Sequence, residues 1–195
     1  MTTERERMLR GDPYNSRDPE LLAAAHRARA LVAAFAAIPS TDQAGRRQLL
    51  VDLFAHVGDG VWIEAPFFCD YGAQISIGAE TFINANAVFL DSAEIRVGAI
   101  VLIGPGVQLV TVSHPLRAAE RIIPTDQRRG DEAPYRTFAR PIVIGDGVWI
   151  GAGSIVFGGV TIGENTSIGA GSIVTSDVQA NCFAFGQPAR VQRRL

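Results

Sequence analysis

The chain has 195 residues, a net charge of −2, 47% hydrophobic residues and 19% charged residues. Those proportions suit a folded domain with a substantial core and exclude a disordered chain. The near-neutral charge gives no reason to expect nucleic acid or an acidic membrane surface as partner, and no window reaches 18 consecutive apolar residues, so no membrane span is expected.

The first residues, MTTERERMLRGD, carry both charge signs and lack the apolar run of a signal peptide. Cys69 and Cys182 are the two cysteines, with no metal-ligand spacing near either. Free thiols in the cytoplasm are therefore expected. Residues 1–57 read as helical. Asp18 is placed as an N-cap with Pro19 at the first helical position, and Leu21, Leu22, Ala25, Ala28, Val32 and Phe35 form an apolar stripe at helical spacing. Pro39 stops that helix. A second starts near Ser40 to Asp42, carries Leu49, Leu50, Leu53 and Phe54, and is expected to end at Gly58.

From 58 to 186 a period of six replaces the helical period. Aliphatic residues recur at Ile144, Ile150, Val156, Ile162, Ile168 and Val174, with glycine directly behind at Gly145, Gly151, Gly163 and Gly169. An earlier set runs Ile77, Ile83, Phe89, Ile95, slips by two residues, and resumes at Val97, Ile103 and Leu109. An inward aliphatic followed by a tight turn, three sides to a turn of about 18 residues, predicts a stack of triangular coils. The glycines are expected at corners whose φ is closed to other residues. The fold class is thus mainly β: a left-handed parallel β-helix with an N-terminal α-helical segment and a long protruding loop. An alternating β-sandwich has a period of two and does not account for glycine at every sixth position.

The loop occupies 113–140. It has no period, several prolines and many charges, and a loop of that length inside a repeat is usually functional. Residues 187–195 read as a C-terminal tail. Of the three histidines, His26 and His56 lie in the segment expected to be helical and read as structural or solvated. His114 stands in TVSHP at the mouth of the loop, where an imidazole is suited to take a proton from an alcohol. Asp70 and Asp91 each read equally well as substrate ligand or turn residue. Asn84 and Asn86 read as solvated or as an internal asparagine ladder, and Trp149 packs on a neighbouring chain or covers a ligand. No serine or cysteine has a candidate base beside it, which favours direct transfer over a covalent intermediate.

The segments ERERMLRGDPY, CDYG (69–72), FINAN (82–86), VSHP (112–115), IGDGVWIGAG (144–153), VTIGENTSIGAGSIVTSDV (160–178) and the terminal GQPARV resemble, over essentially the whole chain, the maltose and galactoside O-acetyltransferases of the hexapeptide-repeat superfamily. The resemblance implies acetyl-CoA as cosubstrate, a sugar acceptor, no metal, and a homotrimer with sites between neighbouring β-helices. It implies His114 as the general base and Asn84 as a residue holding the acceptor and the reacting centre. Trp149 then flanks the pantetheine thiol, and the Ala152 N–H stabilises the thioester oxygen. Arg190 and Arg193 contact the CoA phosphate, where Ser176 replaces a usual lysine. Ser16 and Ser92 stand where the galactoside enzymes carry acidic acceptor ligands, Asp70 where they carry a serine, and Ile83 where they carry a tyrosine. These departures look more like the maltose-type enzymes. Two other classes compete: a γ-class carbonic anhydrase-like zinc site, which needs about three converging histidines, and a non-catalytic β-helix used for assembly. An acyltransferase with a non-sugar acceptor is a further alternative.

Overall fold

The computed structural model describes residues 2–195. Three helices come first: α1 (Glu4–Arg10), α2 (Pro19–Ala37) and α3 (Gln43–Leu53). Thr3 and Glu6 close a capping box on α1, the Asp18 carboxylate accepts from Glu20 N at the head of α2, and Asp42 accepts from Gly45 N at the head of α3. The helical segment ends earlier than expected, because α3 is capped at Phe54 and the next residues already join the coil.

The first turn is β1 (His56–Val57), β2 (Trp62–Ile63) and β3 (Phe68–Cys69). The second is β4 (Ile75–Ile77), β5 (Phe82–Ile83) and β6 (Val88–Leu90), and the third β7 (Ile95–Val97), β8 (Leu102–Ile103) and β9 (Gln108–Val110). The chain then leaves the wall through β10 (Val112–Ser113), forms α4 (Ala118–Arg121) and a 3-10 turn (Thr125–Gln127), and returns through β11 (Phe138–Ala139), antiparallel to β10. The fourth turn is β12 (Ile142–Ile144), β13 (Trp149–Ile150) and β14 (Ile155–Phe157); the fifth is β15 (Thr161–Ile162), β16 (Ser167–Ile168) and β17 (Ile173–Val174). Last come β18 (Cys182–Gly186) and β19 (Ala189–Arg194), a hairpin where a loose tail was expected. Small Ala184 and Ala189 bury its base against the last coil.

Three parallel sheets result. The first face is β1-β4-β7-β12-β15, the third β3-β6-β9-β14-β17, and the second stacks β2, β5, β8, β13, β16 and β18, with β19 antiparallel at its edge. His56 lies in β1, not in a helix. Most strands of the coil send one residue inward, and β4, β7 and β12 of the first face send two; Ile77, Ile83, Phe89, Ile103, Leu109, Ile150, Ile162 and Ile168 are all buried. Each such side chain contributes roughly 1.5–3 kcal/mol relative to exposure. Helices α2 and α3 plug the open end of the first turn. Phe35 sits edge-on to Phe67 at 5.3 Å, and Phe67 to Phe89 at 6.5 Å, so the aromatic plug runs into the coil interior. The buried Arg46 guanidinium donates to Ile63 O and covers the Phe35 ring at 4.4 Å.

Two details depart from the simple repeat. The glycine behind each aliphatic is not there for its φ. A Cβ on Gly151 would lie 2.5 Å from Ala170 N, and one on Gly163 would lie 2.3 Å from Ala180 N, so the stacking of the next coil excludes a side chain. The left-handed residue falls two positions later, at Glu80, Ile100 and Asn165 on one corner and Asn86, Gly106 and Gly153 on the next. Second, the early turns are twenty residues long. His56 pairs with Ser76 and Ser76 with Arg96, whereas Val143 pairs with Thr161 eighteen residues on. Each extra pair of residues enters at the corner between the third face and the first, at 69–77 and again at 89–97. The long loop leaves from that same corner of the third turn.

Candidate active site

The bulged corner carries Tyr71, Asp91 and Thr111 at equivalent positions of consecutive turns, with Asp70 one residue before Tyr71. Asp91 is fully buried, and its Oδ1 accepts from the backbone N–H of Asp70 and of Tyr71, both at 2.9 Å, while Oδ2 has no partner. Thr111 Oγ1 donates to Leu90 O and accepts from Ala93 N. Burial pushes the Asp91 carboxyl above its usual range, against the four backbone N–H groups that draw it down. Burial, and then the neighbouring Asp91 charge, push Asp70 up to about 6, with Arg29 opposing.

Above this corner lies a cavity of about 330 Å³. Its polar wall is Ser16, Asp70, Ser92, His114 and Thr137; Leu21, Leu22 and Ala25 of α2 form an apolar wall, with Arg29 at the side. The segment after α1 is drawn into place by the loop: Tyr14 N donates to Thr137 O, and Ala133 N donates to Asn15 Oδ1. Tyr14 is thereby buried, and its hydroxyl donates to Ser92 Oγ at 3.0 Å. Burial raises the Tyr14 phenol.

His114 is exposed at the end of β10. Its Nδ1 lies 2.8 Å from Arg136 O, and the Tyr135 ring meets the imidazole edge-on at 5.3 Å. A carbonyl only accepts, so Nδ1 carries a hydrogen, and in the neutral ring Nε2 is the nitrogen with the lone pair. The arrangement offers an imidazole on a cavity of hydroxyls and one carboxyl, Asp70, suited to activating an alcohol.

The structure therefore brings four of the sequence-derived residues, Ser16, Asp70, Ser92 and His114, to one cavity. The others lie elsewhere in the single chain. Asn84 is at the corner between the second and third faces, where its Oδ1 accepts from Ala85 N at 2.8 Å; Asn86 is left-handed, with φ 62°. Neither asparagine forms an internal ladder. Trp149 projects from the second face, 53% exposed, and Ala152 turns the corner beyond it. Ser176 is exposed after β17. Arg190 and Arg193 pair with Phe185 and Phe183 across the hairpin, where a register shift puts two residues three apart on one face. Ile83 is fully buried inside the coil and has no part in a surface site. Its outward neighbour Phe82 is the side chain that faces the surface. Sequence reading missed Tyr14, Arg29, Tyr71, Tyr135 and Thr137. The one available signal was the two-residue slip in the period, which marks the bulged corner.

No group of three His, Cys, Asp or Glu side chains suited to a metal is found among the described residues, and no helix there is long and apolar enough to cross a membrane. The maltose acetyltransferase hexapeptide capping motif matches residues 7–58, the plugging helices, and the six-repeat bacterial transferase hexapeptide motif matches residues 141–176. A coil of hexapeptide repeats closed by that cap defines a hexapeptide-repeat acetyltransferase. Nodulation protein L of Rhizobium meliloti (strain 1021) is 42% identical over 190 residues, covering 97% of this chain and 98% of that protein. The crystal structure of a maltose O-acetyltransferase from Clostridium difficile 630 matches with a TM-score of 0.91 at 35% identity, covering 99% of this chain and 97% of that one. Galactoside acetyltransferase in complex with coenzyme A matches with a TM-score of 0.89 at 33% identity, covering 100% and 92%. The chain belongs to the maltose and galactoside O-acetyltransferase family.

Proposed function

We propose that the protein transfers an acetyl group from acetyl-CoA to a hydroxyl of a maltose- or glucose-type sugar, by direct attack with His114 as general base. The acceptor oxygen loses its proton to Nε2 as it attacks the thioester carbonyl; the C–S bond breaks, and the imidazolium returns the proton to the departing thiolate. The observation that carries this reading is the Arg136 carbonyl on Nδ1, which in the neutral imidazole makes Nε2 the accepting nitrogen, on a histidine that lines one cavity with Ser16, Asp70 and Ser92. Thr137 Oγ1, buried on the cavity wall without a partner, is a further group that a sugar hydroxyl would satisfy.

The remaining assignments need a second chain. Asn84, Trp149 and Ala152 lie around a different corner from His114, so a neighbour that lays its second-to-third-face corner beside the first chain's loop completes the site. The exposed Trp62, Leu102 and Trp149 on one outer face, and Phe68 and Phe157 on the next, support such packing, and we assign a homotrimer. In that assembly Asn84 holds the acceptor, Trp149 flanks the pantetheine, and the Ala152 N–H receives the developing oxyanion. Arg190 and Arg193, with Ser176 nearby in the coil order, serve the CoA phosphate. Two buried free thiols, Cys69 and Cys182, suit a cytoplasmic enzyme.

The test is His114→Ala. Thermal stability is expected to stay near wild type, because the side chain is exposed, while kcat falls roughly 10²- to 10⁴-fold, the usual worth of a general base. Retention of a third or more of wild-type kcat would overturn the assignment.

A further inference from the structure

His114 sits where β10 ends and the insertion begins, so its orientation depends on what braces the loop. Within that loop one residue touches both flanks of the histidine, one through its side chain and the other through its backbone carbonyl. The Arg121 guanidinium donates through Nη1 to Pro115 O at 3.1 Å and to Leu116 O at 2.9 Å, the two carbonyls that follow His114. The Arg121 carbonyl accepts from Arg136 N at 2.7 Å. Arg136 is the residue whose own carbonyl takes the hydrogen on Nδ1.

The surrounding contacts make this a closed frame. Ile122 bridges Tyr135 in antiparallel register, Ile123 N donates to Pro134 O, and Arg136 Nη1 donates to Glu120 O. The Tyr135 ring thus meets His114 edge-on as part of the same frame. Arg121 is half-buried, and no carboxylate pairs with it among the described residues. A guanidinium committed to backbone carbonyls is a bracing group, since its planar donors hold two acceptors at fixed angles. Nearby Arg117, by contrast, pairs with Glu120 on the exposed side.

We infer that the Arg121 side chain is a positioning group for the catalytic histidine: by fixing the Pro115 and Leu116 carbonyls it holds the chain that follows His114, and so keeps Nδ1 against Arg136 O, the ring in the Nδ1–H tautomer and Nε2 directed at the acceptor. This rests on the reading of His114 as the base. A carbonyl that moves away lets the ring exchange its proton between the two nitrogens and rotate about χ1, and misplacement of about 1 Å at a reacting group is worth up to about a hundredfold in rate.

The experiment compares Arg121→Ala and Arg121→Gln with wild type and with His114→Ala. Steady-state kinetics are combined with ¹⁵N NMR of protein labelled at histidine, which has three ring systems, His26, His56 and His114. The His114 signals are assigned by their loss in His114→Ala. In wild type the His114 ring is expected as the Nδ1–H tautomer. In Arg121→Ala the tautomer signals become mixed and kcat falls about ten- to a hundredfold, with KM for acetyl-CoA changed less than about twofold. Arg121→Gln retains one amide donor and recovers part of both. If Arg121→Ala does not fold, Arg121→Gln alone carries the comparison, with a partly mixed tautomer and an intermediate kcat. Loss of activity in His114→Ala together with a wild-type tautomer and kcat in a folded Arg121 variant overturns the positioning role and leaves the base intact. Full activity in His114→Ala overturns the reading of the base itself.

Discussion

At Asp70 the bulged corner sets the chemistry of one carboxyl. Asp70 keeps its backbone bond to Phe89 O in the coil wall, lines the cavity, and stays beside the buried Asp91. The group ionises at about 6 in the folded chain, against 3.8 when unperturbed. Between those values the folded protein binds the proton more tightly than the unfolded chain, so this group's contribution to stability falls as pH rises through that window. The cost is then fully present above about 6. Asp70→Asn removes it. The melting temperature is expected to rise well above pH 6 and to change little near pH 4, and an equal shift at both would place the effect in packing rather than ionisation. His114 and Asp70 were legible in the sequence because each belongs to a short motif, and Ser16 and Ser92 because they stand where the galactoside enzymes carry acidic ligands. Tyr14, Tyr135 and Thr137 were not, since they reach the cavity through the antiparallel pairing of β10 with β11 and the bridge from Tyr14 to Thr137. Neither pairing has a period to betray it.

The coil itself was the most legible element, because inward aliphatics at every sixth residue fit no other simple architecture. The role of its glycines was read for the wrong reason. Gly151 is required by the coil stacked on it, while Gly153, two residues on, has φ 66° and no atom within 4 Å of the point a Cβ would occupy. Two substitutions separate the causes. Gly151→Ala must push the Ala170 backbone aside and is expected to cost on the order of 1–3 kcal/mol, as overpacking does. Gly153→Asn, an exchange that the left-handed region tolerates, is expected to cost less than about 1 kcal/mol. Urea denaturation of both variants checks this, and a milder effect at 151 than at 153 would contradict the stacking account. The hairpin of β18 and β19 was missed because its strand character comes from pairing with the last coil, not from its arginine-rich sequence. The early end of α3 has a similar cause: the hydrogen bonds of β1 to β4 outweigh a helical continuation to Gly58.

For the whole molecule, the separation of Asn84 from His114 is the feature with the widest consequence. If His114 and Asn84 serve one site, as proposed, the chain acts only as an assembly, and light scattering is expected to give three times 20.9 kDa. Co-expression supplies a sharper check. His114→Ala and Asn84→Ala are each expected to be inactive, yet mixed trimers regain measurable activity, because some interfaces then combine an intact histidine with an intact asparagine. No recovery in mixed trimers would mean that each chain holds a complete site.

Product analysis tests most directly whether a sugar hydroxyl attacks acetyl-CoA in a reaction that depends on His114. Wild type and His114→Ala are incubated with acetyl-CoA and glucose, maltose or a galactoside, and both the released thiol and the mass of the sugar are measured. Wild type is expected to release CoA in step with the appearance of a monoacetylated sugar. Glucose and maltose should be used at least as well as the galactoside, since Ser16 and Ser92 offer no acidic ligand for particular hydroxyls. His114→Ala should form almost none of either product. Thiol release without an acetylated sugar, or equal acetylation by the variant, would contradict the account.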